Sequence, residues 1–110
     1  MKIGAGERCV AILNGHADSV SCLLKLNENH FVSGSKDKKI KIWEIPHITS
    51  PNESEKEGKC LDTLSGHGSH LTCLEKIKNN LIVSGSEDKT IKIWDISVQG
   101  EGKCLKSPVS

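Results

Sequence analysis

The sequence predicts an all-β chain built from two consecutive four-stranded antiparallel units. Residues 9–45 align without a gap on residues 60–96, with 19 of 37 positions identical, at a period of 51 residues. Each copy holds four short β-prone runs separated by turn residues, and no segment combines helical spacing with caps.

The leading run is Cys9 to Leu13 in the first copy and Cys60 to Leu64 in the second, ended by Asn14-Gly15-His16 and Ser65-Gly66-His67. Val20 to Leu26 follows (Leu71 to Ile77), then Asn27-Glu28-Asn29 or Lys78-Asn79-Asn80, polar residues suited to a tight hairpin. The third run is His30 to Ser35 (Leu81 to Ser86). The fourth is Lys39 to Ile45 (Thr90 to Ile96), entered through a turn centred on Asp37 or Asp88. A third copy starts at Cys104-Leu105-Lys106 and is cut short there. The organisation expected is a tail at 1–8, a first repeat at 9–64, a second at 65–106 with a truncated last strand, and a tail at 107–110.

Between the copies, residues 46–59 are polar and contain proline, which predicts an exposed loop. Within it, Asn52-Glu53-Ser54 matches a glycosylation acceptor only formally, and Ser50-Pro51 reads as turn chemistry or a phosphorylation site.

Fifteen basic against fourteen acidic residues give a formal charge of +1, and the lysines form no basic stripe, so nucleic-acid binding has little electrostatic support. Met1 to Arg8 lack a signal-peptide core, and no apolar run approaches the roughly 18 residues of a membrane span. The expectation is an intracellular chain, cytoplasmic or nuclear, that is not secreted and binds neither membrane nor nucleic acid. Five cysteines, none in a C-x-x-C pair, read as reduced apolar residues, and no metal or cofactor is expected.

Gly15-His16 and Gly66-His67, Ser33-Gly34-Ser35-x-Asp37 and Ser84-Gly85-Ser86-x-Asp88, then Trp43-Glu44 and Trp94-Asp95 occur in the same order at equal spacing. This arrangement resembles the WD-repeat β-propellers, over about residues 9–106. The first copy departs from the family pattern by closing on Trp-Glu. The resemblance implies four-stranded blades packed face to face, which accounts for weak polar alternation in Ile40-Lys41-Ile42-Trp43. Lys41 and Lys92 are then expected to reach the rim with their amines.

The resemblance further implies a hydrogen-bonded chain within each blade: His16, Ser33, Asp37 and Trp43 in one, and His67, Ser84, Asp88 and Trp94 in the other. Ser35 and Ser86 share strand parity with Ser33 and Ser84, so either serine of each pair could supply the bonded hydroxyl. A Ser, a His and an Asp also evoke a nucleophilic triad. The trio occurs twice with a tryptophan at fixed spacing and without a Gly-x-Ser-x-Gly elbow, so the expectation is a structural role and no enzyme.

By the same resemblance the function expected is a scaffold whose loops gather other proteins. The candidate contacts are Asp18, Ser19 and Lys36 in the first copy and Ser69, His70 and Glu87 in the second. The alternative is a substrate-receptor portion of a ubiquitin ligase, because Cys-hydrophobic-x-x-Leu-x-Gly-His looks like those propellers. His30 and His47 fall outside the network and read as solvated, with His70 a weak contact candidate.

The family's repeat is offset from its blade, so Cys9 to Leu13 has no blade of its own, and only Cys104-Leu105-Lys106 can supply the second blade's fourth strand. Two blades form an incomplete ring with two apolar faces exposed. Either the chain is part of a longer propeller or identical chains combine into six or eight blades. In the second case Cys9 to Leu13 would complete a neighbour's last blade.

Overall fold

The structure, a computed structural model, describes residues 9, 11–45, 56–78, 80–96 and 102–104, and for residues 56, 57 and 102–104 it describes the backbone. His47, Ser50-Pro51, Asn52-Glu53-Ser54, both tails and Leu105-Lys106 lie outside these residues.

Every regular element among the described residues is a strand. In chain order they are β1 (Ala11–Ile12), β2 (Val20–Lys25), β3 (His30–Ser35), β4 (Lys39–Glu44), β5 (Lys56–Glu57), β6 (Lys59–Ser65), β7 (Leu71–Lys78), β8 (Leu81–Ser86), β9 (Ile91–Ile96) and β10 (Gly102–Cys104). Two antiparallel four-stranded sheets result, ordered β2-β3-β4-β6 and β10-β9-β8-β7.

The first blade takes its outer strand from the start of the second repeat, as the offset requires. The second blade takes β10, which begins two residues ahead of the expected Cys104. Its register is the one the repeat dictates: Cys104 lies opposite Trp94 and Lys103 opposite Asp95, as Cys60 lies opposite Trp43 and Lys59 opposite Glu44.

Two expectations need correction. The inter-repeat segment is not loop to its end, since Lys56–Glu57 is a strand and β6 starts at Lys59. The leading run is also not idle: Ala11 and Ile12 pair in parallel with Lys56 and Glu57. Backbone amides without a sheet partner seek one nearby. Leu13 packs into the space that Gly58 leaves open beside the Glu44 carbonyl, bringing the two segments side by side.

Both β2–β3 and β7–β8 carry a bulge near their start, between Val20 and Cys22 and between Leu71 and Cys73. The β3–β4 and β8–β9 connections are tight turns in which the equivalent residues Lys38 and Lys89 have φ of 75°. That left-handed backbone strains any residue with a Cβ. Lys89→Gly should therefore raise stability by up to about 1 kcal/mol, whereas Lys89→Val should lower it by about 1 kcal/mol or more. Urea midpoints of the two variants should move in opposite directions.

The core is the seam between the blades. Val32, Ile40 and Ile42 from the first blade meet Leu71, Leu74, Ile82, Trp94 and Ile96 from the second, with Cys22 and Leu24 packed alongside. Cys22 lies half-buried there, and burial pushes its thiol up. Among the described residues, two polar links cross the seam. Ser21 Oγ donates to the Leu71 carbonyl at 2.6 Å, and Lys76 Nζ donates to the Leu26 carbonyl at 3.0 Å. Lys41 carries its amine to the exposed edge, where it donates to Thr63 Oγ1 at 2.9 Å.

Candidate functional site

In each blade the turn after β3 or β8, the loop before β2 or β7, and the last strand of the hairpin are tied through one buried chain of side chains. The Trp43 indole N–H donates to Ser33 Oγ at 2.8 Å, and Ser33 Oγ lies 2.6 Å from His16 Nε2. His16 Nδ1 lies 2.9 Å from Asp37 Oδ2. The second blade repeats this with Trp94, Ser84, His67 and Asp88 at 2.8, 2.7 and 2.9 Å.

A neutral imidazole satisfies every proton in this series: indole to hydroxyl, hydroxyl to Nε2, and Nδ1–H to carboxylate. The ring pairs are also edge-on, with centroids 6.2 Å apart for His16 and Trp43 and 6.3 Å for His67 and Trp94. Gly66 makes room for this packing, because a Cβ there would stand 3.1 Å from the Trp94 ring edge.

The bonding order Ser–His–Asp is that of a nucleophilic triad, but the chemistry is different. The serine oxygen is buried and accepts an indole N–H, so its lone pair is engaged in the fold. Among the described residues no group of three His, Cys, Asp or Glu could hold a metal ion.

Ser35 and Ser86 have another task. Ser35 Oγ accepts the Asp37 N–H at 3.0 Å and donates to the Asp18 carbonyl at 3.3 Å. Ser86 does the same for Asp88 and Ser69 at 3.0 and 3.2 Å. The two parity-equivalent serines thus divide the work: one closes the buried chain and the other braces the turn.

The aspartates are the hubs. Asp37 accepts the Ala17 N–H at 2.8 Å and the Lys39 N–H at 2.9 Å in addition to His16. Burial works against its charge, but the Ala17 N–H, His16 and the Lys39 N–H outweigh it and hold the carboxyl down at about 2. At Asp88 burial is likewise outweighed, here by the Thr90 hydroxyl, the Gly68 N–H, His67 and the Thr90 N–H, and the carboxyl lies further below its ordinary range. Thr90 belongs to none of the motifs in the sequence. Its signal there is the change from Lys39 to Thr90 beside an unchanged Asp-Lys.

These bonds fix a rim of loops. The Lys36 N–H donates to the Ser19 carbonyl at 2.9 Å and the Glu87 N–H to the His70 carbonyl at 3.0 Å, joining entry loop to turn in both blades. The Asp18 carboxylate caps the Ser19 N–H at 2.7 Å. Asp18, Ser19, Lys36 and Glu87 are exposed, while Ser69 and His70 are half-buried. His70 Nδ1 lies 3.7 Å from Glu87 Oε1. His30, expected to be solvated, is instead half-buried in the β2–β3 hairpin. Its Nδ1 lies 2.9 Å from Asn27 Oδ1 and its Nε2 4.0 Å from Glu44.

Four-stranded antiparallel sheets stacked face to face, each locked by the same Trp–Ser–His–Asp chain, define a protein of the β-propeller class. The chain belongs to the WD-repeat family: the family described as "WD domain, G-beta repeat" matches residues 7–44 and 58–95. It is similar to the CCR4-associated factor 4 homolog of Candida glabrata, with 34% identity over 91% of this chain and 17% of that protein. It is 34% identical to mitochondrial division protein 1 of Eremothecium gossypii, over 89% of this chain and 13% of that one. With the F-box/WD repeat-containing protein sel-10 of Caenorhabditis elegans it shares 36% identity over 83% of this chain and 14% of that one. The chain thus spans 13 to 17% of the length of these three relatives. Among solved structures, the computationally designed Ika4 protein matches with a TM-score of 0.65 and 31% identity, over 88% of this chain and 52% of the design.

Proposed function

We propose that this chain presents its loop rim to partner proteins as a non-catalytic interaction scaffold in the cytoplasm or nucleus. The observation that carries the reading is a contrast within the rim. Its backbone is braced identically in both blades through Asp37 and Asp88, while the side chains pointing outward differ: Lys36 against Glu87, and Asp18-Ser19 against Ser69-His70. A braced backbone lowers the ordering cost of binding, and divergent side chains on it give two different contact surfaces. Family membership supports the same reading, since WD repeats indicate interaction scaffolds.

Exchange of the two charges tests it. Lys36→Glu combined with Glu87→Lys should leave the melting curve within about 0.5 kcal/mol of the parent, because both residues are exposed. Cross-linking of parent and variant in cell extract, read by mass spectrometry, should show parent-specific partners lost from the variant. An unchanged partner set would remove the rim from the function.

A second reading, a portion of a ubiquitin-ligase substrate receptor, is supported by the F-box/WD repeat-containing relative. Ligase components among the rim-dependent partners would favour it.

A further inference from the structure

The internal seam supplies half of a contact on each outer face. Its first-blade residues Cys22, Val32, Ile40 and Ile42 have counterparts 51 positions on, Cys73, Val83, Ile91 and Ile93, along the outer face of the second blade. Its second-blade residues Leu71, Leu74, Ile82, Trp94 and Ile96 have counterparts 51 positions back: Val20, Leu23, Phe31, Trp43 and Ile45. Those five, with Leu13, line a hollow of about 220 Å³ on the outer face of the first blade, over His16 and Ser33. Several equivalent aliphatic residues therefore differ in burial according to whether a blade covers them, while Trp43 and Trp94 are buried alike. Ile40 is 1% exposed and Ile91 76%; Leu74 is 7% exposed and Leu23 68%.

The finer features of the seam transpose as well. A Cβ at Gly34 would stand 2.8 Å from Cys22 Sγ of its own blade and 2.9 Å from Leu71 Cβ of the next, whereas at Gly85 it would meet Cys73 Sγ at 2.9 Å and Thr72, both of its own blade. The space is kept, but no neighbouring blade enters it. Thr72 holds the place of Ser21, whose hydroxyl links the blades, and Lys25 holds the place of Lys76, whose amine does the same. Among the described residues, Lys25 makes an exposed ion pair with Glu28 at 3.7 Å. The mismatch is Glu75, which stands where Leu24 packs against the seam.

We propose that a second copy of this chain docks head to tail on these faces, the outer face of the second blade entering the hollow of the first and repeating the seam residue for residue. The contact is heterologous, so each docking leaves one face of each kind free. Addition ends when a ring closes. Thr72 Oγ1 donates to the Val20 carbonyl of the next copy, and Lys25 Nζ of that copy donates to the Ile77 carbonyl. Glu75 is the weak point of the joint, because a carboxylate enters an apolar seam. The rim residues take no part, so this surface stands or falls independently of partner binding.

Sedimentation of the 110-residue chain over a range of concentrations should show mass rising with concentration. Leu23→Arg and Ile91→Arg, both at exposed positions, should each be monomeric and melt as the parent does at concentrations where it is monomeric. Mixed in equal amounts they should form a heterodimer and nothing larger, because each chain keeps the face the other lost. Glu75→Leu should tighten self-association about tenfold or more, for the gain of one buried leucine, and serves if an arginine variant fails to fold. A parent chain that stays monomeric overturns the proposal and leaves the faces to another occupant. Leu23→Arg chains that associate by themselves, arginine variants that do not combine, or a Glu75→Leu variant no tighter than the parent would each overturn it too.

Discussion

Replacement of Trp94 by alanine should destabilise the chain by about 3–5 kcal/mol, the range for truncating a buried aromatic. Trp94 is buried within the seam, so truncation opens a void between the blades. It also removes the donor to Ser84 Oγ and leaves a buried hydroxyl short of one partner. Domains of this size are stable by only about 5–15 kcal/mol, so the variant should lose a large part of its cooperative transition. Trp43→Ala removes the same group from the same network, and Trp43 is as buried as Trp94, at 4% against 3% exposed. It borders the hollow of its own blade and not the seam, however, so its truncation opens no void between the blades. Its cost should be smaller. Urea melts followed by circular dichroism, at concentrations where the chain is monomeric, compare the two. Equal losses would contradict the placing of only one tryptophan in the seam.

Asp88→Ala should cost about 1–3 kcal/mol, because it strips an acceptor from the Gly68 and Thr90 N–H groups, the Thr90 hydroxyl and His67 at once. Glu87→Ala, one residue away and exposed, should stay within about 0.5 kcal/mol of the parent. The pH dependence carries the same signature. Asp37 and Asp88 ionise more readily in the fold than in the unfolded chain, where a carboxyl titrates near ~3.9. Their stabilisation is therefore whole above that value and is lost as pH falls through the folded values, at about 2 for Asp37. The urea midpoint of the parent should drop between pH 6 and pH 3. Asp88→Asn should start lower and fall less. Parallel curves would show that Asp88 is not a hub.

The strands and the Trp–Ser–His–Asp series are legible in the amino-acid order because the two copies repeat the same local pattern. Strand parity places Ser33 opposite Lys41 and on the face of Leu23, and turn chemistry places Asp37 at the tip beside it. Parity could not choose between Ser33 and Ser35, because both lie on that face. The choice follows from reach: Ser33 lies within range of the Trp43 indole, and Ser35 lies at the turn, where the Asp37 N–H meets it.

The repeat and its β content were determined by sequence alone, since alternation and turn residues act over a few positions. Only the tertiary structure decided which faces are covered. Trp43 and Trp94 sit in near-identical sequence and make identical bonds, yet Trp94 faces the seam and Trp43 the hollow, because that depends on a blade some 50 residues away. The same is true of the leading run. Its residues spell a strand, but its partner is set by whichever free backbone the fold brings beside it, here Lys56–Glu57, and strand propensity carries no information about the partner.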